Sequence, residues 1–124
     1  GYVIVENNYW NSGDTIEIFF EMDVRKVLSN EKVVANRGKI AFERGPLVYC
    51  AEEVDNPSGV LDLRLDLNSD FKYFYDKELL GGVGKIIGKA KNINDVEVEF
   101  AAIPYYAWAH RDDGEMSVWL NYIK

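Results

Sequence analysis

Four leucines at alternate positions set the first constraint on the fold. Leu61, Leu63, Leu65 and Leu67 share one parity, and Asp62, Arg64, Asp66 and Asn68 share the other. Successive side chains of an extended chain point to opposite faces, so this period of two describes a strand with one dry and one wet side. The same period recurs at Ile16, Ile18 and Phe20 against Glu17 and Glu21. It returns at Val96, Val98 and Phe100 against Glu97 and Glu99, and at Met116, Val118 and Leu120 against Ser117 and Asn121. Shorter β-branched and aromatic runs at 2–5, 24–28, 39–42, 47–51, 71–75 and 83–87 fill the intervals with residues that pack well on pleated surfaces.

Turn residues punctuate these runs. Asn11-Ser12-Gly13-Asp14 and Asn36-Arg37-Gly38 each precede a strand, Asp55-Asn56-Pro57-Ser58-Gly59 is the strongest break, and Asp112-Asp113-Gly114 separates the last two segments. Helical signal is confined to 29–35, with Ser29 placed as an N-cap, and to 76–80; both are too short to be stable alone. The pattern predicts an all-β fold, an antiparallel, jelly-roll-like β-sandwich of about ten short strands. With 124 residues and neither repeat nor linker, residues 1–124 read as one domain. A chain of this length can bury a core without disulfide or metal staples.

Composition removes several functions. A net charge of −7 disfavours nucleic acid as a partner, since phosphate binding requires a basic face, and equally disfavours anionic membranes. No apolar run approaches the ~20 residues of a membrane span, and no basic region followed by an apolar stretch marks a leader. One cysteine, Cys50, and one histidine, His110, offer little for a thiolate zinc site or a Cys–His nucleophile pair, so no metal or cofactor is expected in this chain.

Each candidate site has a plainer alternative. Asp62, Asp66 and Asp70 invite calcium, but Asp62 and Asp66 would lie about 13 Å apart along a strand, too far to share an ion. Gly81-Gly82-Val83-Gly84 precedes a strand-like run, so a hairpin turn is favoured over a phosphate cradle. Cys50 sits in an apolar strand followed by Glu52 and Glu53, a setting for a buried thiol. No pair among the acids can be assigned to glycoside hydrolysis without geometry. Tyr105, Tyr106 and Trp108, with Trp119 beyond, are read as core or domain-interface packing; the other reading is a platform on which sugar rings stack. Arg111 is placed to brace the turn through Glu115.

Two longer motifs carry a family likeness. Arg44-Gly45-Pro46-Leu47-Val48-Tyr49-Cys50 with Glu52 resembles a signature of the bacterial β-L-arabinofuranosidases of glycoside hydrolase family 127. So does Ile103-Pro104-Tyr105-Tyr106-Ala107-Trp108-Ala109, continued by Arg111, Gly114-Glu115-Met116 and Val118-Trp119. The opening pattern, from Tyr2 through Trp10 to Gly13-Asp14-Thr15 and then Met22 with Val24-Arg25, is similar too. His110 departs from the pattern, where Asn is expected, and 61–92 matches only by alternation and by Leu79 to Val83.

The resemblance implies a long multi-domain parent in which an (α/α)6-barrel carries a zinc-bound cysteine nucleophile with glutamates, followed by β-sandwich domains. This chain resembles the later β-sandwich region. No catalytic position carries over, and Cys50 matches the sandwich motif. The implied role is a non-catalytic accessory domain of a glycoside hydrolase, with zinc only in the catalytic domain. The expected partners are that catalytic domain in the same parent chain, a second copy in an oligomer, or glycan at Tyr105, Tyr106 and Trp108. Arg44, Gly45, Pro46, Tyr49, Pro104 and Trp119 are the residues expected to shape the fold, Gly45 and Pro46 through their backbone preferences.

Overall fold

A computed structural model describes residues 2–6 and 9–123. The ends of the 1–124 span, and positions 7 and 8 of the opening pattern, lie outside the described residues. Nine strands form: β1 (Val24–Leu28), β2 (Lys39–Arg44), β3 (Leu47–Glu52), β4 (Arg64–Asp66), β5 (Lys72–Asp76), β6 (Val83–Lys91), β7 (Glu97–Pro104), β8 (Met116–Ser117) and β9 (Leu120–Ile123). Helical structure among the described residues is limited to single 3-10 turns at Val34–Asn36, Glu53–Asp55, Leu79–Gly81 and Tyr105–Ala107. Ser29 caps no helix; its hydroxyl donates to the Asn36 carbonyl. Asp76 Oδ1 accepts from the Glu78 and Leu79 amides at 3.1 and 3.2 Å, turning the chain from β5 toward β6. The glycines at 81 and 82 complete that hairpin with φ of +80° and +118°.

The all-β expectation holds, but the sandwich is corrected. Backbone pairing runs β2–β9–β4–β6–β7–β3 and returns from β3 to β2, closing a six-stranded barrel. β1 adds to β2, β5 to β6 and β8 to β3 outside that ring. All pairs are antiparallel except β4 with β9, which is parallel. Closure follows from strands that change partner along their length. Glu43 and Arg44 of β2 face β3, while Lys39 and Ile40 face β9. On β3, Leu47 and Val48 face β2, Tyr49 and Cys50 face β7, and Ala51 and Glu52 face β8. A two-residue turn, Gly45-Pro46, joins β2 to β3. Gly45 has φ +57°, and Pro46 follows with its ring-fixed φ, the residue order of a type II′ hairpin.

The barrel interior holds Ile40, Phe42, Tyr49, Leu63, Leu65, Phe71, Ile86, Phe100 and Leu120. Phe42, Phe71 and Phe100 form a triangle with centroids 4.8 to 5.7 Å apart. A smaller cluster, Cys50, Val83, Ile103 and Ala107, covers the other face of β3 and β7. β3 from Tyr49 and β7 from Ala102 are therefore buried on both parities, and there their sequences read as short apolar runs. Of the four alternating leucines, Leu63 and Leu65 enter the core, Leu67 packs at its margin, and Leu61 lies exposed ahead of the short β4.

The expected strands at 2–5 and 16–20 do not form. Every described residue from Tyr2 to Asp23 is exposed and none joins the sheet. Alternation makes a segment amphipathic, but a strand also requires a neighbouring strand to satisfy its backbone.

Candidate functional site

The two signature motifs meet in space. Tyr49 and Cys50 on β3 pair with Pro104 and Ile103 on β7. The chain then makes the Tyr105–Ala107 turn, loops outward, and returns so that Met116 pairs with Glu52. The loop 105–115 thus starts and ends against β3, and a charged cluster holds it there. Arg111 Nη2 donates to Glu52 Oε2 at 2.5 Å and to Asp55 Oδ2 at 2.6 Å. Lys85 Nζ donates to Asp55 Oδ1 at 3.0 Å. Glu52 Oε1 accepts the Ala109 amide at 3.1 Å, where the backbone takes φ +62°.

All four charged side chains are nearly buried. Burial alone would raise the Asp55 pKa, but hydrogen bonds from Arg111 and Lys85 outweigh it and hold the carboxyl below its ordinary range. The Asp55 bond, foremost, pushes the Arg111 guanidinium still further toward its charged form. Glu52 and Asp55 therefore have their cations in place, and the cluster works as a clamp on the loop with no free acid or base.

The expected Arg111–Glu115 brace is corrected. Arg111 turns inward to Glu52 and Asp55, and Glu115 Oε2 accepts the Val60 and Leu61 amides at 2.8 and 3.1 Å. Those two amides keep the Glu115 pKa below its usual value. A second residue the sequence reading missed is Asn56, wholly buried inside what reads as a turn. Its Nδ2 donates to the Glu52 and Ala101 carbonyls, both at 2.8 Å, and its Oδ1 accepts the Ala101 amide at 3.0 Å. The only signal for it was an amide in the strongest turn cluster of the chain.

The remaining candidates resolve individually. Cys50 is fully buried, and desolvation followed by the Glu52 charge pushes its thiol up to about 12. Among the described residues, no group of three His, Cys, Asp or Glu side chains could hold a metal ion. Asp66 Oδ1 accepts the Asn68 amide at 2.7 Å, a local turn contact. His110 Nδ1 lies 2.8 Å from the Trp108 carbonyl oxygen and 3.3 Å from that of Ala107, so that nitrogen carries the proton. The Arg44 guanidinium sits 3.7 Å over the Tyr73 ring. Tyr49 and Pro104 are buried in register, and Trp119 is half-buried in the bend between β8 and β9.

Tyr105, Tyr106 and Trp108 are 47, 63 and 39 % exposed, so they are not core. The Tyr105 and Trp108 rings lean on each other, with centroids 5.6 Å apart and planes inclined by 31°. Tyr106 shares a shallow apolar recess with Leu80, Val83 and Ala107. The result is an aromatic patch on a braced loop.

That braced loop lies within a region that matches a known domain family. Residues 24–121 match the model of the glycoside hydrolase family 127 C-terminal domain. The chain belongs to this family. Its match begins where β1 begins and leaves the exposed arm outside. Among curated proteins, the chain is similar to the non-reducing end β-L-arabinofuranosidase of Bifidobacterium longum subsp. longum, 36 % identical over 130 residues. That match covers 87 % of this chain and 20 % of the relative. Among solved structures it is similar to a family 127 β-L-arabinofuranosidase from Geobacillus stearothermophilus T6, with a TM-score of 0.78 and 39 % identity over 85 % of this chain and 19 % of that one. Another family 127 β-arabinofuranosidase gives a TM-score of 0.76 and 42 % identity, covering 84 % of this chain and 18 % of that one. The chain therefore spans about a fifth of the length of the relatives it matches.

Proposed function

We propose that this chain is a non-catalytic accessory domain of a β-L-arabinofuranosidase-like glycoside hydrolase, seated against the catalytic domain of its parent. The observation that supports this most is the aromatic patch on the clamped loop. Exposed rings on a pre-ordered backbone lose little conformational freedom on docking, which favours an interface. Three acids beside the patch are engaged: Glu52 and Asp55 by Arg111, and Glu115 by backbone amides. Asp112 and Asp113 on the same loop are exposed, so among the described residues the patch has no buried carboxylate free to serve as the acid of glycoside cleavage.

The mutual lean of Tyr105 and Trp108 favours packing over glycan binding, because two rings inclined by 31° to each other do not present the level row that a sugar chain needs. Calorimetric titration of the chain with arabinose-containing oligosaccharides is expected to give no heat of binding. A millimolar or tighter, Trp108-dependent interaction would replace this reading with a carbohydrate-binding module. Incubation with aryl arabinofuranosides is expected to give no release above buffer, and sustained turnover would overturn the non-catalytic reading.

A further inference from the structure

The arm ahead of the family domain is a strand without a sheet. Ile16, Ile18, Phe20 and Met22 alternate with Thr15, Glu17, Phe19 and Glu21. The even-numbered side chains are 62, 73, 62 and 36 % exposed. Among the described residues, the arm's backbone closes only two turn bonds, Tyr9 N–H to Glu6 O and Asp14 N–H to Asn11 O. The second belongs to a tight turn, reinforced by the Asn11 amide donating to Asp14 Oδ2 at 2.7 Å and by Gly13 at φ +100°. The apolar row continues in phase to Val24, the first residue of β1, which packs against the barrel core. A turn, an alternating segment and a correct phase into β1 are a strand's full local specification, lacking only a neighbour. Four apolar side chains in a row, with unpaired amides, form a surface that soluble domains usually keep covered.

We propose that residues 15–22 add as a strand to an unpaired sheet edge in the rest of the parent polypeptide, with Ile16, Ile18, Phe20 and Met22 facing that sheet's apolar side. The proposal rests on the accessory-domain reading and names the element that ties the domain in. Two facts favour this occupant. The family domain starts at Val24, so the arm lies outside the domain's own fold, and about four fifths of the relatives' length lies outside this match. A second copy fits poorly: antiparallel self-pairing centred on the apolar row sets Glu17 opposite Glu21 twice, between chains that each carry −7. Strand addition supplies both what the arm lacks, ladder bonds and a cover for its apolar face.

Hydrogen exchange with mass spectrometry, run on the 124-residue chain and on the full-length parent, tests it. Amides 15–22 are expected to exchange at near-unprotected rates in the short chain and at least about 100-fold more slowly in the parent. In the parent, Ile18→Lys with Phe20→Lys is expected to abolish that protection, while Glu17→Lys on the opposite face leaves it in place. Equal, fast exchange of 15–22 in both proteins would overturn the proposal. So would concentration-dependent protection in the short chain, which would make a second copy the occupant. If the parent protects 105–108 but leaves 15–22 fast, the strand proposal fails and the accessory reading stands; if it protects neither, both fail.

Discussion

Arg111 stands between Glu52 and Asp55, and it holds two nearly buried carboxylates with one nitrogen. Removing one partner of a buried ion pair leaves a charge without compensation, which typically costs about 3–5 kcal/mol. Arg111→Ala is therefore expected to lower unfolding stability by about that amount in urea titration, with the 105–115 loop loosening first. The pH dependence follows from Asp55. Its carboxyl is held below the ordinary value in the fold, so its contribution is complete above an unfolded pKa of about 3.9 and is lost as pH falls through the lower folded value. Stability measured across an acid series should fall more steeply below about pH 4 in the native chain than in Asp55→Asn. Cys50 runs the opposite way. Its thiol is raised in the fold, so stability is complete below an ordinary thiol value of about 8.5 and is lost as pH rises toward about 12. A thiol reagent near pH 8 is expected to label it only at the rate of unfolding, and rapid stoichiometric labelling of the native chain would contradict the burial argument. The sequence placed Cys50 correctly, because apolar neighbours are local information. It misplaced Arg111, because Glu52 is 59 positions away and Glu115 only four, and proximity in sequence says little about a loop that returns to β3.

On β5 and β6 the glycines and aromatics fit together. Tyr73 lies across Gly84, Tyr75 across Gly82, and Phe71 across Gly88, so that rings occupy the space the missing side chains leave. A Cβ added at Gly88 would stand 2.5 Å from the Phe71 ring and 3.2 Å from the Asp70 carbonyl. Phe71 belongs to the Phe42–Phe71–Phe100 triangle, so the ring cannot withdraw without disturbing two others. Gly88→Ala is expected to destabilise by about 1–3 kcal/mol, the usual cost of overfilling a packed core, read as a lowered thermal midpoint. These strands were legible as strands from residues 71–75 and 83–87, and the hairpin from Gly81-Gly82. The ring-over-glycine match was not, since it depends on the register that sets Tyr73 opposite Ile86. The 16–20 segment has the same local pattern as β7 yet forms no strand, because the period of side chains carries no information about the neighbour that must supply hydrogen bonds.

Across the whole molecule, closure decides what the barrel needs from the arm. The pairing ring β2–β9–β4–β6–β7–β3 is complete without any residue before Val24, and both core clusters draw only on residues from 24 onward. Local alternation could predict strands but not this ring, which depends on β2 and β3 each changing partner and on the parallel β4–β9 pair, whose members lie far apart in sequence. The arm meets the barrel where Met22 lies over Gly45 at the β2–β3 turn, beside a recess that Phe19 and Phe20 share with Arg25, and Met22 is itself exposed. Exposed side chains away from caps, cores and special dihedrals usually change stability by no more than about 0.5 kcal/mol. A chain starting at Val24 is therefore expected to unfold cooperatively, with a midpoint shifted by only a few degrees. Calorimetry on the two lengths checks it. A large loss of stability on removing the arm would mean that residues before Val24 are part of the barrel's own fold, and the family boundary at residue 24 would then not be a folding boundary in this chain.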